Sequence, residues 1–155
     1  MQFTAKEDIE GPIDRVFAML TDFESYERAA MRRGAEVVRT DSLRNPGVGM
    51  TWQTRFKLRG RDRNLALTLG EMDPPHGLRM DFMSQNLDGD LKIDLLAMSR
   101  NRTRMTLAIE LRPKTLSARL MVQSLKLARA NITKRFALRV AEFAKDLEDR
   151  MRGAA

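Results

Sequence analysis

The sequence holds no cysteine, one histidine, one tryptophan and one tyrosine among its 155 residues. Without cysteine, disulfide staples, thiol nucleophiles, iron-sulfur clusters and cysteine zinc sites are all excluded. A serine triad would have to use His76 as its base, and a histidine metal site would lack a second imidazole. The 5 Pro and 9 Gly do not gather into a linker, and no repeat of about 20 to 50 residues is visible. No uncharged apolar run approaches the roughly 20 residues needed to cross a bilayer. Lys6, Glu7, Asp8 and Glu10 stand where a signal peptide would carry its apolar core, so the expectation is a cytoplasmic protein.

What remains is sufficient for one core. Hydrophobic residues make up 43% and charged residues 32%, and a chain of this length buries roughly 70% of its unfolded surface. A single domain over residues 1–152 is expected. The net charge of +7 is unevenly spread: Met1 to Pro113 carries 18 basic and 17 acidic residues, whereas Lys114 onward carries 10 basic and 4 acidic. This C-terminal excess permits docking on an acidic partner, RNA or a membrane surface, without specifying one.

Gln2 to Ile9 reads as a strand. Gly11-Pro12 then breaks it and starts a helix with an apolar face of Val16, Phe17 and Leu20. Asp22 is a plausible N-cap for a second short helix through about Met31, ended at Gly34. From Glu36 the period becomes two. Trp52, Thr54, Phe56 and Leu58 alternate with polar residues, as do Leu65, Leu67 and Leu69, then Leu78, Met80 and Phe82. Leu91, Ile93 and Leu95 continue the pattern, followed by Met105, Leu107, Ile109 and Leu111. Turn signals separate these runs, Asp88-Gly89 being read as the clearest hairpin. The result is an antiparallel meander with one buried face.

After Pro113 the pattern predicts one long helix from about Thr115 to Met151, with Met121, Leu125, Ala128, Ile132, Phe136, Val140, Phe143, Leu147 and Met151 on one stripe. The class is therefore α+β, with the sheet curving around this helix. An apolar cavity between the two is the natural small-molecule site.

The chain resembles the START-like superfamily (Bet v 1-like, SRPBCC, helix-grip), within it the bacterial polyketide cyclase/dehydrase and lipid-transport group. The resemblance is carried by Ile9-Glu10-Gly11-Pro12-Ile13-Asp14-Arg15-Val16-Phe17, by Leu20-Thr21-Asp22-Phe23-Glu24-Ser25-Tyr26, and by Gly47-Val48-Gly49-Met50-Thr51-Trp52. It implies a seven-stranded antiparallel sheet around a C-terminal helix, with a pocket for hydrophobic or amphipathic ligands. Members of the superfamily include carriers, enzymes and protein binders, and no catalytic motif transfers to this chain.

The candidate pocket comprises Trp52, Thr54, Phe56, Met80, Phe82, Met105, Leu107, Ile132, Phe136, Arg139 and Phe143. Bulky and flexible side chains suit an irregular cavity, although each is equally at home in a packed core. Counting from Ile132 by seven, or to Phe143 by four, places Arg139 inside the apolar stripe, close to Phe136, where its guanidinium could anchor an anionic headgroup or snorkel to water. No catalytic residue, cofactor or metal is assigned. His76 reads as a turn residue within Asp73-Pro74-Pro75-His76-Gly77. Asp88, Asp90 and Asp94 lack the ligand spacing of a calcium loop. Binding of a small hydrophobic ligand is the first expectation. An enzyme using Tyr26, Thr54 or Arg139 is the second, and an interaction module docking its basic surface is the third. Leu120, Leu127 and Leu138 lie away from the main stripe, where they could mark a homodimer or partner surface. The aromatic interleaving of a single-strand nucleic-acid binder is absent, and sequence-specific nucleic acid is not expected.

Overall fold

The structure, a computed structural model, describes residues 1–153. Its elements in chain order are β1 (Gln2–Glu10), α1 (Ile13–Leu20), α2 (Phe23–Arg32), β2 (Glu36–Arg39), β3 (Thr51–Leu58), β4 (Arg61–Asp73), β5 (Gly77–Met83), β6 (Leu87–Ser99), β7 (Arg102–Pro113), α3 (Leu116–Leu127) and α4 (Arg129–Gly153). The seven strands form one antiparallel sheet in the order β1-β7-β6-β5-β4-β3-β2. β2 to β7 follow one another as a meander, but β1 pairs with β7. The chain must therefore travel from one sheet edge to the other between β1 and β2. α1 and α2 make that crossing, which puts them over the sheet face.

The alternating residues face these helices. Ile9, Leu69, Met105 and Leu147 have no exposed surface, and Val16, Leu78, Ile93 and Leu95 are buried with them. Full burial of each aliphatic side chain contributes roughly 1.5–3 kcal/mol. Val140, Ala144, Leu147 and Met151 form the buried stripe of α4, which packs along β1 and against α1. Three contacts lock this arrangement. The Arg15 guanidinium donates to the Met151 carbonyl at 2.9 Å, the Glu10 amide to Glu148 Oε1 at 2.9 Å, and the buried Thr103 hydroxyl to the Gly11 carbonyl at 2.9 Å. Gly11 lets the end of the Met151 side chain approach the backbone: a Cβ would lie 2.7 Å from Met151 Cε and make that side chain shift.

Two expectations are corrected. The C-terminal segment is two helices, α3 and α4, parted at Ala128. No glycine or proline marks the break. Residues 126–131 bury no side chain, so packing does not hold the helix straight there. Asp88-Gly89 is not a turn either: both residues lie inside β6, opposite Met83 and Phe82. Gly89 is needed for close approach, since a Cβ would collide with the Phe82 ring and with the Glu110 carbonyl oxygen. The turn falls earlier, where the Ser84 hydroxyl donates to the Leu87 carbonyl at 2.6 Å and accepts from the Leu87 amide at 3.0 Å.

Candidate functional site

The concave sheet face is wider than α4 alone can cover. α4 packs along β1, and the face from β3 to β7 is roofed by α2 and the end of α1. Between roof and sheet lies a cavity of about 460 Å³. Its floor is Trp52 and Thr54 from β3, Leu67 from β4, Leu78 and Met80 from β5, Leu91 and Ile93 from β6, and Leu107 from β7, with Val37 of β2 at the far edge. These are the inward positions of the alternating strands. The roof is Leu20 of α1 with Phe23, Tyr26, Glu27 and Ala30 of α2, and Phe143 is the one contribution of α4. Phe23, Tyr26, Glu27 and Ala30 follow helical steps of three and four, which is why a ten-residue helix presents all of them to one side.

Three polar side chains interrupt the apolar wall, and each already makes an internal hydrogen bond. Trp52 Nε1 donates to Glu27 Oε1 at 2.7 Å, tying roof to floor. The Tyr26 hydroxyl donates to the Met19 carbonyl at 3.0 Å, and the Thr54 hydroxyl to the Leu65 carbonyl at 2.9 Å. With these groups bonded internally, the surface that the cavity presents is almost wholly apolar. Burial pushes the Tyr26 phenol above its ordinary range, and the neighbouring Arg150 guanidinium opposes that shift. Tilted aromatic contacts fix the roof further: Phe23 lies 5.5 Å from Trp52, and Tyr26 lies 6.4 Å from Phe143, between ring centroids.

A second, open groove of about 920 Å³ adjoins the cavity and shares Ala30, Val37 and Thr54 with it. Its walls are mixed: apolar surface from residues such as Ala29, Ala35 and Phe56 predominates, and Arg33, Glu36, Lys57 and the Arg55–Asp62 ion pair at 3.0 Å add charged groups. The apolar chamber therefore continues into a more polar vestibule, bearing charged side chains, between α2 and the β3–β4 hairpin.

Of the residues singled out in the sequence, Trp52, Thr54, Met80, Leu107 and Phe143 line the cavity, and Phe56 lines the vestibule. The others are elsewhere. Phe82 lies over Gly89, Met105 is wholly buried in the core, and Phe136 packs against Phe3 with centroids 6.4 Å apart. Ile132 is half-buried on α4, away from the cavity. Arg139 is not in the apolar stripe: its side chain is 82% exposed and pairs with Glu142 at 3.3 Å. Measured from Val140, Ala144, Leu147 and Met151, it sits about 100° round the helix, outside the buried arc. His76 is exposed in the β4–β5 turn, 3.9 Å from Asp73. Among the described residues, no group of three or more His, Asp or Glu side chains is placed to hold a metal ion, and no helix is long and apolar enough to cross a membrane.

Sequence reasoning missed most of the roof. The signal was present in the spacing of Phe23, Tyr26, Glu27 and Ala30, but a short helix with that pattern reads equally well as one packed against core.

No family model and no curated protein matches this sequence. Solved structures do. The Zhui aromatase/cyclase from Streptomyces sp. R1128 superposes with a TM-score of 0.68 at 13% identity, over 100% of this chain and 98% of that one. A START superfamily protein from Mycobacterium smegmatis gives 0.54 at 8% identity, over 86% and 95%. Ara h 8.0201 gives 0.59 at 10% identity, over 89% and 97%. The chain thus has the START-like, Bet v 1-like helix-grip fold, and at these identities the likeness concerns fold.

Proposed function

We propose that the protein binds and carries a small hydrophobic or amphipathic molecule of lipid, quinone or polyketide-like type in the chamber beneath α2. The apolar volume of about 460 Å³ carries this reading. Close-packed interiors leave few voids larger than a water molecule, whereas small-molecule sites measure roughly 300–1,000 Å³. The molecule's apolar body would lie against Leu67, Leu78, Leu91 and Leu107, with a polar end toward Thr54 and the vestibule. Carriage needs no bond to form or break.

The test is native mass spectrometry of protein purified without detergent, followed by extraction and identification of any retained molecule. Uptake of a fluorescent fatty acid is measured alongside. Ala30→Phe narrows the passage between chamber and vestibule and should weaken uptake at least about tenfold. Phe136→Trp, which lies outside the chamber, should leave it unchanged. An empty protein that also takes up no fatty acid counts against the reading.

A second reading rests on one observation: Tyr26 and Glu27, two titratable groups, both line the chamber. Converging acid and base groups are what an enzyme of cyclase or dehydratase type would use. Chemical conversion of an extracted ligand that is lost in Tyr26→Phe or Glu27→Gln, with binding retained, would favour catalysis. Recovery of the ligand unchanged after incubation favours carriage.

A further inference from the structure

α3 has two apolar faces. Ala118, Val122 and Leu125 turn inward, the first two buried and the third half-buried. On the opposite side Leu116, Leu120 and Leu127 are 73%, 57% and 93% exposed. At 3.6 residues per turn these three leucines fall within an arc of about 40°, diametrically opposed to the buried face. Arg119 and Lys126, both exposed, lie together along one flank of that ridge. The Thr115 hydroxyl accepts from the Ala118 amide at 3.2 Å, so the helix is capped at its first turn and presents the ridge as a fixed edge.

Charge marks out the same region. From Arg112 to Ala141 the chain carries eight basic residues and no acidic one. Arg112, Lys114 and Arg139 pair with Asp90, Asp88 and Glu142, and the other five pair with no carboxylate among the described residues.

We propose that α3 is a docking element for an anionic lipid surface, its leucine ridge entering the headgroup boundary while Arg119 and Lys126 hold phosphate or carboxylate headgroups. A helix lying in a membrane interface combines an aliphatic edge with flanking cations in this way. The alternatives fit less well. Two copies of α3 pairing about a two-fold axis would bring like charges together. RNA would want stacking rings, and Phe136 is the only aromatic residue between Arg112 and Ala141.

The experiment is co-sedimentation of the full chain with vesicles of phosphatidylcholine, with and without about one third phosphatidylserine. Binding should require phosphatidylserine and weaken with salt. The pairs Leu120→Ser with Leu127→Ser, and Arg119→Gln with Lys126→Gln, should each reduce it at least about tenfold. Both pairs change exposed side chains, so fatty-acid uptake in solution and the circular dichroism spectrum should match wild type, which separates this proposal from the one for the chamber. Failure to sediment with phosphatidylserine vesicles overturns it, as does equal binding to pure phosphatidylcholine. A dimer in light scattering that the leucine pair abolishes would assign the ridge to a second copy instead. Equal competition by polyglutamate would assign the flank to an acidic protein.

Discussion

Replacing Glu27 by leucine should uncouple the roof of the chamber from its floor. Trp52 Nε1 donates to Glu27 Oε1 at 2.7 Å, and Trp52 is only 4% exposed, so water cannot readily replace the lost acceptor. An orphaned buried donor costs about 1–3 kcal/mol. Taking about 2 kcal/mol, a domain of this size should melt roughly 4–8 °C lower. Glu27→Gln retains a carbonyl acceptor and should lose less. Because Trp52 is the sole tryptophan, urea unfolding followed by its emission reads this contact directly. The control is Trp52→Phe, followed by circular dichroism: with no indole to satisfy, adding Glu27→Leu should cost much less than it does in wild type. Equal costs in the two backgrounds would refute the coupling, and an unchanged midpoint in Glu27→Leu would refute the premise that the bond matters.

Tyr26 is the only tyrosine, so ultraviolet titration of phenolate reports on it alone. Its midpoint should lie above 10.0 in the folded protein and return to about 10 in denaturant, because burial disfavours the charged form; stability from this group is lost as pH rises past the unfolded value. Asp8 behaves in the opposite sense. Hydrogen bonds from Arg104 and Arg102 lower its carboxyl to about 2, so the stability difference between wild type and Asp8→Asn should be present above about pH 4 and vanish as pH falls through about 2, measured by urea unfolding across that range. Arg139→Ala should change stability by no more than about 0.5 kcal/mol and leave fatty-acid uptake intact, since the side chain is 82% exposed; a loss of uptake would restore it as a ligand anchor.

How much was legible depends on how local each property is. The period-two runs fixed which strand residues point inward, because a strand side chain has only two faces to choose between. So Trp52, Thr54, Met80 and Leu107 could be placed on the concave face without coordinates. The same reasoning could not separate cavity wall from packed core: Phe82 and Met105 obey the same alternation, yet one covers Gly89 and the other is sealed. Gly89 itself has the local signature of a turn, and only the strands beside it reveal that it makes room for Phe82. On the last helix, spacing gave the buried arc to within one residue's rotation, and that margin was enough to misplace Arg139.

By itself, then, the sequence determined the α+β class, the inward faces of β3 to β7 and the basic C-terminal quarter, since period and charge are written residue by residue. The tertiary structure decided where the empty space lies. β1 pairs with β7, so α1 and α2 must cross the sheet while α4 keeps to one side of it, and the chamber forms under α2. Pairings between residues far apart in the chain set that geometry, and no local pattern encodes them.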